Sequence, residues 1–202
     1  MKTRLPERRS GQSSYQKRNT PEGKLRLFFA LWPPQEAAQS LHGWAAVAHA
    51  KTGGKVTRKA TIHLTLAFLG DVSGDKVGAL IDCARRVRSQ PFDLRIDEGK
   101  WWEHNGIVWA GPRAMPEALR DLAAQLDAAL KDAGFRTEKR DFRAHISLVR
   151  RATNGESLPP LAPLGWRAEE FVLVRSALSA EGPAYATLSR FSLSGAPNSA
   201  AP

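Results

Sequence analysis

The chain is expected to fold as an α+β protein of two similar lobes facing one groove, and three observations predict it. His63-Leu64-Thr65-Leu66 and His145-Ile146-Ser147-Leu148 repeat one order of imidazole, aliphatic, hydroxyl and aliphatic side chains, 82 residues apart. Each copy follows a helix-like stretch, so the order of elements is doubled even though identity between the halves is low. Hairpin-like strand pairs lie between and after the two motifs.

Residues 1–24 carry seven Lys and Arg against Glu7 and Glu22, with no hydrophobic period, and read as a disordered basic tail or, less simply, an RNA-attracting arm. The folded part is expected to run from 25 to 194. Its first strand, 25–31, stops at Pro33-Pro34, and Pro34 can open a helix from 36 to about 50 with Ala37, Leu41, Trp44, Ala45 and Ala48 on one face. Gly53-Gly54 ends that helix. The first histidine strand is expected over 62–69, closed by Gly70-Asp71, and a second helix over about 75–89, with Arg85, Arg86 and Arg88 on its solvated side. Phe92, Leu94 and Ile96 alternate as in a strand.

Asn105-Gly106, between Trp101-Trp102 and Trp109, is a hairpin signal. Its tryptophans suit core and cross-strand packing better than a base-stacking platform. Pro116 opens a third helix with Leu119, Leu122, Ala123, Leu126 and Leu130 at helical spacing up to Gly134. The second histidine strand is expected over 142–150, then a proline-containing loop over 152–163 and strands at about 168–176 and 185–193. Residues 195–202 are small and polar and read as a flexible tail.

With 42% hydrophobic and 25% charged residues, the composition is that of an ordinary globular protein. The formal net charge of +10 favours polyanionic partners such as RNA without specifying chemistry. One cysteine, Cys83, cannot form an intrachain disulfide and reads as a buried thiol in a reducing cytoplasm. No secretory leader or membrane span is apparent. A cytoplasmic monomer is expected, with no membrane association.

The paired motifs carry the chemistry. In an alternating strand His63 and Thr65 share one face, as do His145 and Ser147. An imidazole titrates near neutral pH and can take or give a proton. Two of them flanking a phosphodiester can divide the work, one accepting the proton of an attacking water and the other protonating the departing sugar oxygen. Each hydroxyl can donate to a non-bridging phosphoryl oxygen as charge builds there. Arg150 lies five residues past His145, an odd offset that leaves the imidazole's face of a regular strand unless a bulge returns it to the phosphate. Nothing in this scheme calls for a metal or a cofactor.

With these residues the chain resembles the RNA 2′,3′-cyclic phosphodiesterases, also called 2′-5′ RNA ligases, of the two-histidine phosphoesterase superfamily. The resemblance covers about residues 25–193. It rests on Arg26-Leu27-Phe28-Phe29-Ala30-Leu31-Trp32-Pro33-Pro34, on the first histidine motif through Gly70, on Gly134-Phe135, on the second motif through Arg150, and on Gly182-Pro183-Ala184-Tyr185. It implies antiparallel sheets lining a V-shaped cleft, with helices outside. It also implies His63 and His145 as the catalytic pair, Thr65 and Ser147 as holders of the phosphoryl group, and Arg150 as a phosphate or RNA contact. The second motif usually has Thr where this chain has Ser147, which keeps the hydroxyl and loses a methyl. The implied reaction opens a terminal 2′,3′-cyclic phosphate to a 2′-phosphate, with His63 as acid and His145 as base. The reverse, ATP-independent 2′-5′ ligation, is implied too.

The implied partners are RNA ends bearing 2′,3′-cyclic phosphate, tRNA fragments among them, or small cyclic nucleotides, which points to a role in RNA processing. Two other readings compete. A non-catalytic RNA-binding module would use the basic residues and tryptophans. A metal hydrolase would use the two histidines, but neither motif brings a carboxylate or third histidine at ligand spacing. His42, His49 and His104 read as structural or exposed.

Overall fold

A computed structural model describes residues 23–138, 140–179 and 182–195. The expected tails lie outside the described residues, save that Gly23 forms a turn, Lys24 already belongs to the first strand and Gly195 lies in a terminal bend. In chain order the first half contains β1 (Lys24–Leu31), α1 (Gln35–Thr52), β2 (Lys55–Val56), β3 (Leu64–Ser73) and α2 (Val77–Arg85). The antiparallel strands β4 (Phe92–Ile96), β5 (Glu98–Trp102) and β6 (Ile107–Gly111) come next, then α3 (Glu117–Asp132) and β7 (Ile146–Arg150). The chain ends on β8 (Leu164–Ala168), β9 (Glu170–Ser179) and β10 (Gly182–Ser192).

The architecture is α+β and its strand pairs are antiparallel. One eight-stranded sheet runs in the order β10-β9-β1-β3-β7-β6-β5, with β2 added beside β7, and β4 pairs with β8 in a separate ribbon. The large sheet consists of two halves joined by one bridge, Leu64 opposite Ile146, between the two histidine strands. Around that bridge the halves correspond: β3 to β7, and β1 to β6. The two lobes predicted from the doubled motif are therefore halves of a continuous sheet.

All three helices pack on one side. Leu41 and Trp44 of α1, Leu80 of α2, and Leu119, Leu122 and Leu126 of α3 join Leu27, Phe29, Leu31, Leu64, Ile146 and Leu148 from the sheet in the main core. The opposite face of the first half-sheet carries a smaller cluster, Phe28, Ala30, Val172 and Val174, with Trp32, Phe68 and Tyr185 packed against it. This division explains why β1 reads as an unbroken apolar run: both of its faces are covered. Among the described residues no helix is long and apolar enough to cross a membrane.

Several expected boundaries move. Gly70 does not close its strand: with φ +67 it supports a bulge at Leu69, and β3 continues to Ser73. The second helix ends at Arg85, not near 89, where the Arg88 backbone N–H donates to Gln125 Oε1 on α3 and draws the chain out of the helix. At the hairpin, Asn105-Gly106 is not a two-residue turn; a 3-10 turn, Glu103–Asn105, precedes Gly106 in the left-handed region. β8 pairs with β4 over a stretch left unassigned between the expected loop 152–163 and the strand expected from about 168, although Leu164, Trp166 and Ala168 alternate there. Both histidine strands begin one residue after their histidine, because the two strands first meet at Leu64 and Ile146.

Candidate active site

His63 and His145 each sit immediately before the bridge that joins the half-sheets. Followed outward, that antiparallel register sets His63 abreast of Ser147 and Thr65 abreast of His145. The four residues chosen from the two motifs thus meet at one junction, and each is half-buried.

The imidazoles are held alike. His63 Nδ1 is 2.7 Å from the carbonyl oxygen of Thr61, and His145 Nδ1 is 2.8 Å from that of Arg143, in each case two residues back. A carbonyl only accepts, so each Nδ1 carries the proton and donates it. That assigns the tautomer and leaves both Nε2 atoms outside this backbone bond. Thr61 is itself fixed in the 3-10 turn Lys59–Thr61, where its hydroxyl donates to the Arg58 carbonyl at 2.9 Å.

Burial pushes the His63 imidazole down to about 4, and the positive charges of Arg150 and His145 act in the same direction, while the bond to Thr61 opposes them. His145 is also lowered, first by burial and then by Arg140 and Arg150, against the bond to Arg143 and the charge of Glu138. His63 is therefore neutral at pH 7.

A bulge brings Arg150 to the site. Between β6 and β7, Trp109 pairs with Ser147 but Val108 pairs with Val149, so Leu148 is an extra residue in the ladder. Leu148 and Val149 both turn into the core, and alternation resumes with Arg150 exposed on the side that Ser147 occupies. The positive charge of Arg150 acts to lower His63, His145 and Tyr185 alike. Two glycines hold the backbone there. A Cβ on Gly54 would lie 2.5 Å from the Arg150 carbonyl oxygen, and one on Gly106 would lie 2.8 Å from that of Ala152. Between these two carbonyls Arg151 adopts φ 60, in the left-handed region that side-chain-bearing residues seldom enter.

The motifs did not reveal the aromatic surroundings. His63 is boxed by Phe28 at 4.8 Å and by Trp32 and Tyr185, each at 5.4 Å between ring centroids. Trp102 stands edge-on to His145 at 4.6 Å and packs on Trp109 at 5.1 Å. The hairpin tryptophans therefore do pack, as expected, and Trp102 packs against a site histidine. Trp32 and Tyr185 lie in two of the segments that carry the resemblance, which was the available signal for them. Of the other histidines, His49 Nδ1 bonds the Gly53 carbonyl at the end of α1, and His104 is exposed beside Trp102. Among the described residues no group of three His, Cys, Asp or Glu side chains comes together.

A family model described as LigT like Phosphoesterase matches residues 31–109, the part holding the first motif. An RNA 2′,3′-cyclic phosphodiesterase of Escherichia coli is 34% identical over 170 residues, spanning 83% of this chain and 96% of that protein. A protein of the same name from Thermus thermophilus is 31% identical, over 85% of this chain and 91% of its own length. Among solved structures, E. coli LigT complexed with 3′-AMP superposes with a TM-score of 0.80 at 33% identity, covering 84% of this chain and 98% of that one. The chain belongs to the LigT-like phosphoesterase family.

Proposed function

We propose that this protein is an RNA 2′,3′-cyclic phosphodiesterase that opens a terminal 2′,3′-cyclic phosphate to a 2′-phosphomonoester, with His63 and His145 exchanging the protons. The observation that carries the reading is the matched pair of imidazoles at the joint of the two half-sheets, each with Nδ1 donating to a backbone carbonyl and Nε2 left for substrate. The relatives' names supply the reaction class and argue against a non-catalytic RNA-binding module.

One imidazole takes a proton from water as the water oxygen bonds to phosphorus. The bond from phosphorus to the 3′ oxygen breaks, and the other imidazole protonates that oxygen. Thr65 and Ser147 donate to the non-bridging oxygens, and Arg150 balances their charge. The resemblance casts His63 as the acid. Buried and neutral in the free protein, it would have to gain its proton as substrate binds, and an adjacent phosphate anion favours the protonated form. Run backwards, the same proton transfers join RNA ends through a 2′-5′ linkage without ATP. Substrates are RNA ends bearing the cyclic phosphate, tRNA fragments among them, or small cyclic nucleotides. The buried, free thiol of Cys83 fits a reducing cytoplasm, where we place the protein as a monomer.

The test is incubation of RNA ending in 2′,3′-cyclic phosphate with protein and EDTA. Opening that depends on both His63 and His145 is the expected result. No opening, or opening unchanged by His63→Ala and His145→Ala, overturns the proposal.

A further inference from the structure

The two ester oxygens of a 2′,3′-cyclic phosphate are close to equivalent: both bond to the same phosphorus, and each sits on an adjacent ribose carbon. A site whose two halves were identical would accept this group in either direction and release either oxygen. The halves of this site match closely. The histidines share one backbone bond to the residue two before them, the hydroxyls of Thr65 and Ser147 match, and aromatic rings flank both imidazoles. Even the bulge is repeated. On β3, Ala30 pairs with Thr65 but Phe29 pairs with Ala67, which makes Leu66 the extra residue, as Leu148 is on β7.

That repeated bulge identifies the residue corresponding to Arg150. Five positions past His145 it is Arg150; five past His63 it is Phe68. After the Leu66 bulge Phe68 returns to the cleft face, in the cluster of Phe28, Ala30 and Val174 and not in the main core. Matched positions thus hold a guanidinium in one half and a phenyl ring in the other. The first half does have cations, Arg26, whose guanidinium lies over the Phe68 ring 4.7 Å from its centroid, and Arg58, and both act on Tyr185, but neither stands at the position matched to Arg150. The charges acting on His63 are those of Arg150 and His145, from across the joint.

We infer that the Phe68–Arg150 mismatch sets the direction in which a cyclic phosphate lies between the two histidines, and so which ribose oxygen leaves. With Arg150 as the one guanidinium at a matched position, the phosphoryl oxygens turn toward the second half. The first half, with the Phe68 ring at that position, takes the ribose side, and the imidazole facing the leaving oxygen is then the same one in every turnover. This inference rests on the proposed hydrolysis and adds the origin of its regiochemistry.

The experiment is isomer mapping of the product from a short RNA ending in 2′,3′-cyclic phosphate, after subtraction of the opening seen with the His63→Ala/His145→Ala double variant. Wild type should give one phosphomonoester isomer, and Phe68→Leu, which keeps the mismatch, should do the same. Phe68→Arg makes the halves alike and should give both 2′- and 3′-phosphate. Arg150→Phe makes them alike in the other sense, and its slower residual opening should also yield both. A single isomer from either symmetric variant overturns the inference, as does a folded Phe68→Arg protein without activity. Should Phe68→Arg fail to fold, Arg150→Phe decides alone, and absence of residual opening then counts against the inference. Failure of the proposed function itself is distinct, since wild type would then open nothing.

Discussion

Two backbone hydrogen bonds decide what the imidazoles can do. By donating Nδ1–H to Thr61 and Arg143, His63 and His145 each keep Nε2 out of these backbone bonds, and neither can rotate to exchange its nitrogens without losing its bond. A positioned acid or base contributes about 10²- to 10⁴-fold, so His63→Ala and His145→Ala should each lower kcat/KM by that order. Thr65→Ala and Ser147→Ala each remove one hydroxyl that, in the proposed reaction, donates to a charge-bearing oxygen and should cost up to about 10²-fold, less than either histidine. The low proton affinity of His63 also predicts a stability effect. An unfolded imidazole protonates near 6.5 and the folded one near 4, so between these values the unfolded chain binds a proton that the folded chain refuses. Stability is full above about pH 6.5 and falls as the pH drops toward 4, by at most about 3 kcal/mol. Urea unfolding at pH 7 and pH 4.5 measures this, and His63→Phe should flatten most of the difference. His145 adds a contribution of the same sign.

At the scale of elements, the bulges at Leu66 and Leu148 matter more than the strands that contain them. A regular β7 would aim Arg150 away from Ser147; the extra residue reverses its face. The backbone from Arg150 to Ala152 is then held against Gly54 and Gly106, where a side chain would overlap the carbonyl oxygens of Arg150 and Ala152. Gly54→Ala adds a methyl 2.5 Å from the Arg150 carbonyl, at a residue with φ +86. It should destabilise the fold by about 1–3 kcal/mol and raise KM more than it lowers kcat, because what moves is the proposed phosphate contact and not the imidazoles.

This is also the level where the sequence is least explicit. His63, Thr65, His145 and Ser147 are legible because a doubled pattern of types stands out. The helices are legible because Leu119, Leu122, Leu126 and Leu130 recur at helical spacing. A bulge has no such signature: Leu66 and Leu148 look like ordinary strand leucines, and only the partner strand shows that each is supernumerary. The extension of β3 past Gly70 and the pairing of β8 with β4 were hidden for the same reason, since each depends on a partner distant in the chain. The aromatic box around His63 draws on Phe28, Trp32 and Tyr185, from both ends of the chain, and no local pattern brings them together.

For the whole molecule, the sheet is a device for placing two similar motifs across one bridge. All three helices cover one face, and the other is left for the cleft, with the Phe28 cluster on one side and Trp102 and Arg150 on the other. The net charge of +10 suits an anionic substrate, so KM for an RNA end should rise with salt while kcat changes little. The central claim is that His63 and His145 act on one phosphate in one step. It is tested most directly by kcat/KM for opening a 2′,3′-cyclic phosphate in EDTA, measured for His63→Ala, His145→Ala and the double variant. If the two work as a unit, the double variant falls little below the weaker single variant. Losses that multiply, or a single variant that keeps the wild-type rate, would contradict the account.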